Sequence, residues 1–130
     1  MMWTARNWLA LGAMSLLLVG PDARGQNPVA RAHFETARDH LCAALNTLPG
    51  VHAPPPPGAM YAFFRVDGLT DSLGFCKRLV SDNGVGLAPG AAFGDEGEGF
   101  VRWCFASDPA RLDRAIERFA RGLADFRSQK

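Results

Sequence analysis

Four consecutive prolines, Pro54–Pro57, constrain this chain more than any other stretch. Proline has no backbone N–H and fixes φ at about −65°, so the run can sit neither inside a helix nor in a central strand. Residues His52 to Gly58 therefore read as an extended, polyproline-like connector. Whatever precedes it must end there, and a new element must begin after it.

On the upstream side, Phe34, Ala37, Leu41, Ala44, Leu45 and Leu48 recur at helical spacing until Pro49-Gly50. An amphipathic helix is predicted over 30–48. On the downstream side, Met60–Val66 (MYAFFRV) is rich in strand formers and ends at Asp67-Gly68, a turn signal, so it is predicted as a mid-sheet strand. Asp71 then offers a side-chain cap for a helix with Leu73, Cys76, Leu79 and Val80 on one side, and Asn83-Gly84 supplies the left-handed residue that ends it. Val85–Leu87 reads as a short strand and Phe100–Ala106 as the next one.

Asp108-Pro109 places a capping carboxylate and a first-turn proline before the last helix. Leu112, Ile116, Phe119, Leu123 and Phe126 form its apolar stripe, while Arg111, Arg114, Arg118 and Arg121 are expected to face water. The interleaved Asp113, Glu117 and Asp125, and the lack of an aromatic stacking platform, argue against a nucleic-acid face there. The order helix, strand, helix, strand, strand, helix specifies a small two-layer α/β (α+β) sandwich.

With 130 residues, the chain is the size of one domain. A formal net charge of +1 gives no field that would gather nucleic acid or an anionic membrane. Cys42, Cys76 and Cys104 are odd in number, far apart and without C-x-x-C spacing, so they read as buried free thiols. His33, His40 and His52 have no metal-ligand spacing and read as surface or helix-flank residues.

Residues 1–28 differ from the remainder: Arg6, an apolar run from Trp8 to Val19, a Gly20-Pro21 break and Ala23-Arg24-Gly25 outline a signal peptide. The run is shorter than the roughly 20 residues a spanning helix needs, so no stable membrane anchor is expected. A stray or mis-started N-terminus, or one more core helix, fits the same residues.

The residue most in need of explanation is Arg102. Period-two alternation puts Val101, Trp103 and Phe105 on one face and Phe100, Arg102, Cys104 and Ala106 on the other, so a guanidinium shares a face with apolar neighbours. Removing it from water costs several kcal/mol unless an anion meets it, and its planar fork matches a carboxylate. The residues leave two partners open: Asp95, Glu96 or Glu98 on the preceding loop, or a carboxylate from outside.

The runs GVGLAPGAAFGDEGEGFVRWCFA, PPGAMYAFFRVDG and DSLGFCKRLV resemble the C-terminal small domain of class I/II aminotransferases, the aspartate-aminotransferase-like, fold-type I enzymes that use pyridoxal phosphate. The likeness runs from about Arg31 to the C-terminus, which divides the chain into residues 1–28 and a small domain over 29–130. It implies that the first helix is the tail of the one joining the two domains of such enzymes. It also implies that Arg102, after the loop of Pro89, Gly90, Phe93, Gly94 and Gly97, binds the α-carboxylate of an amino acid or 2-oxo acid. Tyr61 and Phe63 resemble residues near the substrate mouth, although strand aromatics are more often core.

The resemblance also implies parts these residues do not hold. The two lysines, Lys77 and Lys130, lie in nothing like the S-x-S-K segment that forms the Schiff base, and no glycine-rich phosphate cradle is present. The expectation is a fragment of an aminotransferase, inactive alone, that pairs with a large domain or a second copy. Alternatives are a non-catalytic carboxylate-binding or assembly module, or an exported protein of residues 26–130. The family implies a cytoplasmic setting, against the signal-like start. An apolar surface left uncovered would favour self-association.

Overall fold

The computed structural model describes residues 27–130; the signal-like segment read from the sequence lies almost wholly outside them. Helix α1 spans Pro28–Asn46 and starts at Asn27, whose Oδ1 accepts from the Val29 amide at 2.9 Å. A side-chain oxygen in that position satisfies one of the amides a helix start leaves without a partner. Its lower part buries Ala37, Leu41, Cys42 and Leu45, one stripe at the spacing expected.

The chain does not go straight into a connector. Val51–His52 forms a short strand, β1, antiparallel to β2 (Tyr61–Val66), with Val51 opposite Val66 and His52 opposite Arg65. Asn46 accounts for this departure. Its side-chain amide donates to the Ala53 carbonyl at 2.8 Å and its Oδ1 accepts from the Ala53 amide at 2.9 Å, which ties the segment before the prolines to the end of α1. The irregular connector is thereby confined to residues after His52.

Helix α2 spans Ser72–Asn83. Asp71 Oδ1 accepts from the Gly74 amide at 2.8 Å, and Gly84 closes the helix at φ 66°, both as expected. The buried side differs from the one predicted: it is Ser72, Phe75, Cys76 and Leu79, while Leu73 and Val80 are 50% and 56% exposed. Both sets have helical spacing and share Cys76 and Leu79; turning Phe75 inward buries more apolar area than Leu73 or Val80 would.

The strand expected at Val85–Leu87 forms later, as β3 at Ala88–Pro89. The Val85 amide donates to the Leu79 carbonyl at 3.0 Å, so that residue still belongs to the helix cap. Pro89 is tolerated because β3 lies at a sheet edge. Two 3₁₀ turns, Gly90–Phe93 and Asp95–Gly97, lead to β4 at Phe100–Cys104, and α3 covers Pro109–Ser128 with Asp108 as its cap.

The sheet order is β1-β2-β4-β3, antiparallel throughout, which places β2 inside the sheet as expected. One face is buried under the helices: Val51, Ala62, Phe64, Val66, Val101 and Trp103 join Leu41, Leu45, Phe75, Leu79, Leu112, Phe119 and Leu123 in a single core. Phe119 of α3 sits at its middle, edge-on to Phe64, Phe75 and Trp103 with ring centroids 5.7, 6.2 and 5.5 Å away. Among the described residues, no helix covers the other face. The result is a two-layer α+β sandwich of residues 34–130, and its bare face holds Arg102.

Candidate carboxylate site on the open face of the sheet

The register of β2 against β4 decides what surrounds Arg102. Phe63 lies directly opposite it, Tyr61 opposite Cys104, and Arg65 opposite Phe100. Alternation puts all six on the open face. Tyr61 and Phe63 are each 40% exposed, so they are surface aromatics rather than core. Cys104 is likewise exposed, unlike the buried Cys42 and Cys76, because its strand position faces outward.

The Arg102 guanidinium carbon lies over two rings, 4.5 Å from the Tyr61 centroid and 4.3 Å from that of Phe93. Phe93 comes from the first 3₁₀ turn, reaches in from the loop and meets Phe63 edge-on at 6.1 Å. Phe63 in turn stacks on Phe100 at 5.0 Å, with the rings 5° from parallel. Cation–π contact compensates part of the lost hydration, about 0.5–2 kcal/mol per ring, but aromatic rings are poor acceptors for the guanidinium N–H groups.

Among the described residues, no hydrogen bond or ion pair engages the Arg102 guanidinium. Each internal partner considered from the sequence is elsewhere. Glu98 turns back to the start of α2, where its Oε1 accepts from the Ser72 amide at 2.7 Å and the Gly99 amide at 3.0 Å. Those amides, Gly99 first and then Ser72, hold its carboxyl below the usual glutamate range. Asp95 and Glu96 are exposed in the second 3₁₀ turn and form no ion pair with Arg102. Among the described residues the internal partners are therefore set aside: the half-buried guanidinium, with its forked donors, stands on an aromatic surface without an acceptor from them.

The loop is built so that only glycine fits at its crossing point. A Cβ added to Gly90 would lie 1.9 Å from the Gly97 carbonyl oxygen, and one added to Gly97 would lie 2.1 Å from that of Gly90. The two 3₁₀ turns cross backbone on backbone, which brings Phe93 over the sheet.

Two histidines form pairs at the surface, away from Arg102. His40 Nε2 contacts Asp113 Oδ1 at 2.5 Å, from α1 to α3, and His52 Nε2 contacts Asp67 Oδ2 at 2.9 Å. Hydrogen bonding to His52 lowers the Asp67 carboxyl. Among the described residues, no group of His, Cys, Asp and Glu is placed to hold a metal ion, and no helix is long and apolar enough to cross a membrane.

Among the described residues, none beside Arg102 is placed to hold pyridoxal phosphate. Lys77 is exposed on α2, and the Lys130 ammonium donates to the Gly68 carbonyl and lies 4.9 Å from the Phe126 ring centroid. Neither amine is among the open-face residues, and among the described residues no glycine-rich strand-to-helix junction offers its amides to a phosphate.

No family model matches the chain. An aspartate aminotransferase of Thermotoga maritima is 45% identical over 85 residues, 65% of this chain and 21% of that protein. An LL-diaminopimelate aminotransferase of Nitratidesulfovibrio vulgaris is 34% identical over 91 residues, 70% of this chain and 23% of that protein. A crystal structure of aspartate aminotransferase from Thermotoga maritima superposes with a TM-score of 0.63 at 37% identity, covering 70% of this chain and 23% of that one. The chain thus spans between a fifth and a quarter of the length of the relatives it matches.

Proposed function

We propose, for a chain whose relatives and structural neighbours are aspartate-aminotransferase-like, pyridoxal-phosphate-dependent aminotransferases matched along their C-terminal portion, that Arg102 receives the α-carboxylate of an amino acid or 2-oxo acid. The observation that carries this reading is the guanidinium held over Tyr61 and Phe93 with no acceptor among the described residues. A carboxylate meets it through two parallel N–H···O bonds, which fix both the position and the plane of the acid. Holding the acid this way orients the rest of the substrate before any chemistry begins.

Transamination needs pyridoxal phosphate as electron sink, and on this reading the residues that bind it belong to a large domain supplied by another part of a longer chain or by a partner. Residues 29–130 are then the substrate-gripping small domain, without transaminase activity on their own. The open aromatic face, with Tyr61, Phe63 and Phe93 exposed, is the side such a domain would cover.

The test is a chimera in which residues 31–130 replace the C-terminal portion of a curated relative. Arg102→Lys keeps the charge but loses the fork, removing about 1.5–3 kcal/mol of charge-assisted bonding. KM for the amino acid should rise by about 10- to 100-fold. An active chimera whose KM is indifferent to Arg102→Lys would refute the assignment.

A further inference from the structure

Glu98 is exposed, lies on no catalytic face and is used by none of the chemistry above, yet its carboxylate joins three separate parts of the fold. Oε1 accepts from the amide of Ser72, first residue of α2, at 2.7 Å and from that of Gly99 at 3.0 Å. The Gly99 carbonyl in turn accepts from the Val66 amide at 2.9 Å, which locks the entrance of β4 against the end of β2. Ser72 is fully buried, and its hydroxyl accepts from the Ala91 amide at 3.2 Å. Ala91 lies in the same 3₁₀ turn as Phe93, the residue over Arg102.

A continuous path therefore runs from the carboxylate through Ser72 and Ala91 to Phe93, and through Gly99 to the strand that bears Arg102. We propose that Glu98 is a positioning residue: by tying the start of α2 to both ends of the glycine loop, it sets the ring of Phe93 over the Arg102 guanidinium and so fixes the direction in which the fork points. Its functional meaning rests on the carboxylate reading of Arg102; the positioning itself does not.

Acceptor geometry and charge can be separated at this position. Glu98→Gln keeps a carbonyl oxygen at the same reach and still accepts from both amides. Glu98→Asp keeps the charge but is one methylene short of the Ser72 amide. Glu98→Ala removes both.

The readout is the Arg102 Nε–H resonance of the full, isotope-labelled chain, which ring currents from Phe93 and Tyr61 should separate from the exposed arginines. The expected result is that Glu98→Gln leaves this resonance in place. Glu98→Asp and Glu98→Ala should return it to the exposed-arginine position, in folded protein. Ser72→Ala, which removes the hydroxyl that accepts from the Ala91 amide but keeps the Ser72 amide on Oε1, should move it part of the way.

A resonance unmoved by Ser72→Ala and by every Glu98 variant that folds would overturn the proposal, as would loss of the shift in Glu98→Gln. A change in thermal midpoint alone, with the resonance fixed, would mean that Glu98 only stabilises the loop. No ligand enters the measurement, so failure of the carboxylate reading would leave this result standing, and the reverse.

Discussion

Phe119→Ala should destabilise the domain by about 3–5 kcal/mol, the largest effect expected of any single truncation here. Phe119 is completely buried and meets one ring from each of three elements: Phe64 of β2, Phe75 of α2 and Trp103 of β4. Deleting it removes the apolar transfer term and three edge-to-face contacts, and leaves a cavity that a sheet and two helices cannot close without shifting. Domains of this size have about 5–15 kcal/mol in total, so the variant should lie near the edge of folding. Urea denaturation followed by far-ultraviolet circular dichroism checks this through the midpoint. Val80→Ala on the exposed side of α2 should stay within about 0.5 kcal/mol of wild type. If Val80→Ala proved the more damaging of the two, the placement of the core would be wrong.

The second large effect belongs to Gly90. Added at this position, a methyl group would lie 1.9 Å from the Gly97 carbonyl oxygen and 2.6 Å from that of Phe100. Both obstacles are backbone, and the Phe100 carbonyl is at the first residue of β4. No rotamer change relieves the clash, so the loop must open. Gly90→Ala should cost about 3 kcal/mol, at the upper end of what overpacking usually costs. It should also displace Phe93 from Arg102, weakening carboxylate capture in a chain that is still largely folded. Gly58→Ala and Gly86→Ala, where an added Cβ meets nothing within 4 Å, serve as controls and should be near neutral. Thermal midpoints of the three variants give the comparison, and a Gly90→Ala midpoint equal to that of the controls would contradict the crossed-turn geometry.

Local signals that act over three or four residues were readable in the chain and are realised. Asp71 and Asp108 cap their helices through the amides of Gly74 and Arg111, and Gly84 takes the left-handed conformation. The α3 stripe buries Leu112, Phe119 and Leu123, with Ile116 and Phe126 partly buried. Alternation in β4 correctly divides Val101 and Trp103 from Arg102. All of these depend on backbone periodicity or on a side chain meeting its own local amides.

What could not be read depends on partners far along the chain. β1 exists because Asn46 clamps Ala53, seven positions away, and β3 starts late because the cap of α2 consumes Val85. Leu73 and Val80 fit a helical face as well as Phe75 does until the rings of Phe119 and Phe126 are placed beside Phe75. The same holds for the site. Arg102 was legible as an arginine in an apolar strand, but its aromatic flank needs Phe93 folded back across the eight residues between them. Glu98 looked like a partner for Arg102 because it is near in sequence. Its real partner, Ser72, is 26 residues away.

The central claim is that the Arg102 fork is open to a carboxylate from outside the domain. The most direct measurement follows the Arg102 Nε–H resonance while pyruvate is added to the full chain, with pyruvamide as the neutral analogue. The account predicts a saturable shift centred on Arg102, Tyr61 and Phe93 at about millimolar pyruvate and none with pyruvamide, as a single charge-assisted fork would give. An Arg102 resonance that ignores pyruvate, or follows pyruvamide equally, would contradict it.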